Sequence, residues 1–262
     1  MSDFNEGSPK GGNTKLLTTL GGCGCLTIIG LVIFMLLPTI ADFIEDVAKR
    51  PSGRMTCTNH LKQIALAMHN YNDVHKSFPP AYTTDEDGKP LHSWRVLILP
   101  FIEQTALYES IRLDEPWDSE YNKQFHDQMP STYICLSVKR GAREKGLTSY
   151  MRIVGPDTLT DGPNTMTLTP QLSEIRWPDS VGDVTIGMSD VIMLVEVIPT
   201  TCWMTPVDIQ ESALVGDFRF TRDSGVGSMH RGGINICNMD ASVDFMPDSE
   251  ASHLKDKVKI KR

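Results

Sequence analysis

LLTTLGGCGCLTIIGLVIFMLLPTIA, Leu16 to Ala41, carries no charged residue, although Lys15 precedes it and Asp42 follows. A bilayer core of about 30 Å takes roughly 20 mostly apolar residues as a helix rising about 1.5 Å per residue. The run is long enough once Leu16 to Cys25 complete its densest part, Leu26 to Leu37. Gly21, Gly22 and Gly24 suit a membrane helix, where small residues let another helix approach, and Pro38 is tolerated there as a kink. A cleaved signal peptide has an apolar core of about 7–15 residues and then a small-x-small site. Pro38-Thr39-Ile40-Ala41-Asp42 makes a poor one. The sequence therefore predicts a tail over 1–15, a retained transmembrane helix over 16–41 in contact with lipid, a joint over 42–56, and one soluble domain over 57–262.

Orientation is not set by basic residues, since Lys10 and Lys15 precede the run while Lys49, Arg50 and Arg54 follow it. The formal net charge of −8 argues against a nucleic-acid partner, because phosphate binding needs a basic patch. Lys255, Lys257, Lys259 and Lys261 alternate with other residues near the C-terminus and read as a solvated edge strand or a frayed end.

Beyond the joint, Arg50-Pro51-Ser52-Gly53 interrupts helix, because Pro51 disfavours the α conformation at Arg50. Thr58 or Asn59 can cap a new one. Leu61, Ile64, Ala65, Met68 and Tyr71 then make an amphipathic stripe of helical period, ended by Phe78-Pro79-Pro80. Tyr82 to Lys89 reads as a turn with Asp87-Gly88 at its tip. Trp94 to Leu99 reads as a short buried strand, Pro100 as the start of a helix through Ile111, and Trp117, Tyr121 and Phe125 as a further helix closed by Pro130. Afterwards the texture is of short strands: Thr132 to Cys135, Ser149 to Val154, Val191 to Val197, Ile234 to Met239 and Val243 to Met246. Helices first and strands after predict an α+β domain with an antiparallel sheet.

Four strings carry a family resemblance: CTNHLKQIALAMHNYNDVHKSFPPAY from Cys57, LHSWRVLILPFIEQTALYESIRLDEPWDSEYN from Leu91, TSYMRIVGP from Thr148, and SMHRGGINICNMDASVDF from Ser228. Their order and spacing resemble the bacterial prepilin-like proteins of unknown function, abundant in planctomycete-type bacteria, that end in an H-x9-D-G motif. The resemblance implies a type IV pilin or pseudopilin-like build, with a membrane-embedded N-terminal helix running into a head where an amphipathic helix packs on the sheet. It implies a single-pass protein of the bacterial inner membrane, its N-terminus cytoplasmic and its head periplasmic. Other pilin-like subunits are the implied partners. The family brings no assigned activity, so neither enzyme chemistry nor a cofactor is expected. The chain departs from the pattern in three places. Lys15 to Gly22 lacks a prepilin-peptidase site and no glutamate lies in the apolar run; Arg50 to Gly53 breaks the helix; and Ala241 follows Asp240 where the family has glycine. A turn wanting positive φ there costs about 1 kcal/mol with a Cβ present.

His230, Gly233, Asn235 and Asp240 are the motif residues, and their expected role is structural. His230 and Asp240 flank the strand Ile234 to Met239 and could hydrogen-bond across neighbouring strands. Two such ligands are too few for a structural zinc, and no His-x3-His or Cys-x2-Cys spacing completes one. Ser228 near them lacks the nucleophile elbow of a hydrolase. His60, His69 and His75 do not share a helix face. Outside the apolar run remain Cys57, Cys135, Cys202 and Cys237, an even number that permits two disulfides in three connectivities. Cys57 and Cys135 stand where the family has cysteines, and a bridge between them is implied; Cys202 with Cys237 could form a second.

Overall fold

The computed structural model describes residues 53–138, 140–155, 158, 160, 161, 164, 165, 188–214, 220 and 226–258. The apolar run and most of the joint lie outside these residues. Among those described, no helix is long and apolar enough to cross a membrane. The chain divides into two compact units, Met1–Arg50 and Pro51–Arg262, and every described residue belongs to the second.

The first helix, α1, is already formed at 53 and runs to 75. Thr58 and Asn59 therefore lie inside it and cap nothing. Leu61, Ile64, Ala65 and Met68 are fully buried, with Cys57 four residues before Leu61 on the same stripe. Helix α1 ends at Ser77-Phe78-Pro79 and leads into a hairpin, β1 (Tyr82–Thr84) with β2 (Pro90–Ser93), whose tip uses Gly88 at φ +79°.

Trp94 to Leu99 is not a strand. The Ser93 side chain accepts a hydrogen bond from Arg95 N and starts the short helix α2 (Trp94–Leu97). A continuous apolar run fits either state, and here the cap decides. A 3-10 turn, Leu99–Ile102, follows with Pro100 at its start; Glu103, at φ +62°, breaks the chain before α3 (Thr105–Ser110). The stretch around Trp117 forms only the 3-10 turn Asn122–Phe125, and Thr132 to Cys135 lies in and after another, Ser131–Tyr133.

Helix α4 (Arg140–Glu144) precedes β3 (Tyr150–Met151) and β4 (Ile153–Val154). A small pair, β5 (Thr160–Asp161) and β6 (Asn164–Thr165), comes next. Then follow β7 (Ile192–Glu196), β8 (Ile209–Gln210), β9 (Gly233–Asn238) and β10 (Val243–Pro247). The central sheet has the order β10-β9-β7-β3 and is antiparallel throughout, while β4 pairs β8 in parallel beside it. The fold is mixed α+β. The lysine-rich end is neither strand nor fray as far as Val258: α5 (Leu254–Val258) turns Leu254 and Val258 into the core.

Both faces of the sheet are covered. Alternation sends Ile192, Val195, Val197, Ile234, Ile236 and Met246 to a face packed by Ala251, Leu254 and Val258. Leu194, Tyr150 and Cys237 point the other way, into the core that includes Cys57, Leu61, Ile64 and Met68. A register shift between Ile192 and Leu194 lets Met193 and Leu194 both face the α1 side. Helix α1 is also held by His69 Nε2 at 2.7 Å from Met239 O and His60 Nδ1 at 3.1 Å from Ile134 O, while His75 stacks on Tyr71.

A buried ionic knot joins the hairpin to the sheet. The Arg95 guanidinium donates to Asp208 Oδ1 at 2.9 Å and to Tyr150 O at 2.8 Å, and Trp94 Nε1 donates to Asp208 Oδ2 at 2.9 Å. Both charged side chains are essentially inaccessible.

Candidate functional site

Strand register builds the site. Tyr150 pairs with Glu196, Val195 with Ile236, and Asn235 with Phe245, so Tyr150, Glu196, Asn235 and Phe245 form one row across the sheet toward α1. Helix α1 lies over this row, with the Arg54 guanidinium 3.7 Å above the Phe245 ring.

Cys57 comes from α1 and Cys135 from the turn after Tyr133, where Cys135 N donates to Ser149 Oγ at 2.9 Å. Their sulfurs are 2.6 Å apart. His230 Nε2 lies 3.5 Å from Cys135 Sγ and 3.5 Å from Glu196 Oε1. The ligand atoms of all four residues lie within 4.8 Å of one another. Glu196 Oε2 accepts from Asn235 N and from Ser228 Oγ, both at 2.8 Å, and Asn235 Nδ2 donates to Oε1 at 3.0 Å. His230 N in turn donates to Ser228 Oγ at 3.0 Å. The Tyr150 hydroxyl is fully buried beside Cys57.

Burial works against the charge on Glu196, but the contacts from His230 and Asn235 outweigh it and hold the carboxyl below its usual range. The contact with Cys135, then that with Glu196, pushes His230 up to about 9 despite burial. The contact between the two sulfurs lowers the Cys135 thiol and raises that of Cys57, whose burial adds to the rise.

Cys135 and Glu196 approach the same nitrogen of His230, so the three do not form a nucleophile relay, which needs its two partners on opposite ring nitrogens. Both sulfurs are also almost wholly buried.

The motif residues separate into two groups. His230 and Asn235 join the cluster. Asp240 sits in the β9–β10 turn, where its Oδ1 accepts from Ser242 N at 2.9 Å, so it does not meet His230 across the strands. Gly233 lies at the start of β9 where a Cβ would run into the Met246 carbonyl. Cys202 and Cys237 are separate free thiols: the backbone of Cys202 pairs with Leu147 in an isolated β-bridge, while Cys237 packs its sulfur against the Leu61 backbone. Glu196 escaped the sequence reading. Its signal was a single carboxylate inside the apolar run Val191 to Val197.

An α+β domain with a buried cluster of two sulfurs, one imidazole and one carboxylate defines the class. The chain belongs to the family described as "Protein of unknown function (DUF1559)", which matches residues 50–192. No curated protein and no solved structure matches it.

Proposed function

We propose that this chain is a non-enzymatic, single-pass protein of the bacterial inner membrane whose pseudopilin-like head, in the periplasm, takes part in an envelope or secretion-type assembly. One observation carries the reading: α1 follows the uncharged run 16–41 by a short joint and lays an apolar stripe on an antiparallel sheet. A membrane helix over 16–41 would tether the head to the bilayer, and Gly21, Gly22 and Gly24 suit the approach of another pilin-like helix.

Single cysteines placed through 26–37, in a chain lacking Cys23 and Cys25, test this by cross-linking in native membranes. Helical periodicity of cross-links to the same chain or to pilin-like subunits supports assembly. Cross-links to lipid probes alone indicate a monomeric tether, and protein released by carbonate, or a head digested only from the cytoplasmic side, overturns the reading.

A further inference from the structure

We propose that Cys57, Cys135, Glu196 and His230 form a four-donor site for one thiophilic divalent cation of the zinc type.

Zinc bound tetrahedrally, with bonds of about 2.3 Å to sulfur and about 2.0–2.1 Å to nitrogen or oxygen, sets unlike donors roughly 3.3–3.6 Å apart and two sulfurs about 3.8 Å apart. His230 Nε2 stands 3.5 Å from a sulfur on one side and 3.5 Å from a carboxylate oxygen on the other. That is long for a direct imidazolium–carboxylate bond, which closes to about 2.7–2.9 Å. It is the spacing of two ligands around a shared ion.

The outer shell is in place as well. A coordinating carboxylate needs hydrogen bonds that fix its orientation. Glu196 has three, from the backbone and side chain of Asn235 and from Ser228, and all three leave it turned toward His230. The Tyr150 hydroxyl, buried against Cys57, stands where it can donate to a metal-bound thiolate.

Loading moves the sulfurs apart, from 2.6 Å to about 3.8 Å. Both cysteines bind as thiolates and His230 as neutral imidazole, so the protons they carry leave to solvent, and no electron is transferred. The dication offsets the charge of two buried thiolates and a carboxylate. A disulfide would involve the sulfurs alone and would leave the His230 spacing without a cause.

The test uses the full-length chain, extracted in detergent under reductant, stripped with chelator and titrated with Co²⁺. The expected result is one Co²⁺ per chain with a thiolate-to-cobalt charge-transfer band, displaced by one equivalent of Zn²⁺. The band is lost in Cys57→Ser and kept in Cys202→Ser. Ser228→Ala, which touches only the outer shell, raises the Kd about 10–100-fold. Circular dichroism confirms that each chain compared is folded. A folded, reduced wild-type chain that takes up no stoichiometric Co²⁺ overturns the proposal, as does a band that survives in Cys57→Ser. Recovery of Cys57 and Cys135 in one disulfide-linked peptide, from native membranes alkylated at lysis, also overturns it.

Discussion

The two faces of the central sheet are built differently. Toward α5, hydrocarbon and thioether side chains dominate: Ile192, Val195, Ile234, Ile236 and Met246 meet Ala251, Leu254 and Val258, with Asn238 bonded to Asp244 at the edge. Toward α1, the same strands place a carboxylate, a carboxamide and a phenol in one row, and α1 answers with a thiol. The apolar face is held by area removed from water and tolerates many sequences of similar volume. The α1 face adds a few specific polar partners to its own hydrophobic core, and removing one leaves the others stranded in low dielectric. The first supports a fold, whereas the second specifies one arrangement of helix on sheet.

Glu196→Ala breaks the polar face most severely. It leaves His230, Asn235 and Ser228 without their common acceptor. Deleting one partner of a buried charged pair costs about 3–5 kcal/mol. Urea unfolding followed by circular dichroism should show a loss of that size. A loss under about 1 kcal/mol would mean that the cluster contributes little to holding α1.

On the apolar face the matching truncation is Ile236→Ala, at a fully packed position of β9. The expected loss is about 2–5 kcal/mol from transfer and cavity terms, falling to about 0.5–1.5 kcal/mol for Ile236→Val. The graded series is itself diagnostic. Hydrocarbon burial scales with the atoms removed, while the polar cluster fails all at once.

Acid should separate the faces further. Burial lowers the His60 pKa below its usual value, against the opposing pull of the Ile134 carbonyl, with Arg143 adding to the lowering. A folded pKa depressed below about 6.5 gives stability that is complete above that pH and lost as pH falls through the folded value. Glu196, also depressed, acts in the same direction at lower pH. Urea midpoints should therefore fall from about pH 6.5 downward. The acid limb should flatten in His60→Gln and keep its shape in Ile236→Val, which removes no titratable group. An identical limb in His60→Gln would remove His60 as its cause.

How much of this was legible in the sequence depended on how local each determinant is. The α1 stripe, the Gly88 hairpin and the strands around Leu194, Ile236 and Phe245 follow from periodicity and turn chemistry within a few residues. The run Trp94 to Leu99 misled, because a fully buried helix turn and a fully buried strand share one apolar pattern, and only the Ser93 cap told them apart. The lysine alternation misled in the opposite way: a period of two in charge hid Leu254 and Val258, one helical turn apart and both buried. The cluster was the least legible. Its members come from α1, a turn, a central strand and a loop, with 78 residues between Cys57 and Cys135 and a further 95 between Cys135 and His230. Sequence spacing encodes a site only when the chain segment itself sets the geometry, and here strand register does.

The smallest expected effect lies at the end of β9 far from His230. Asn238 O accepts from Ala241 N at 3.0 Å, Asn238 N donates to Ser242 O at 2.9 Å, and Asp240 Oδ1 braces Ser242 N. Closing this turn puts Ala241 at φ +63°, in the left-handed region where a Cβ crowds the backbone. Asp240 thus serves the turn and not the cluster, and the alanine after it is held there against its preference. Ala241→Gly relieves that strain by roughly 1 kcal/mol, less the extra freedom glycine gains in the unfolded chain. The prediction is a net rise in the urea midpoint with no change in denaturant slope, and no change in Co²⁺ affinity. A fall in stability would show that unfolded-state entropy outweighs the strain at this position. An altered affinity would show that the turn and the cluster, at opposite ends of β9, are coupled through the strand.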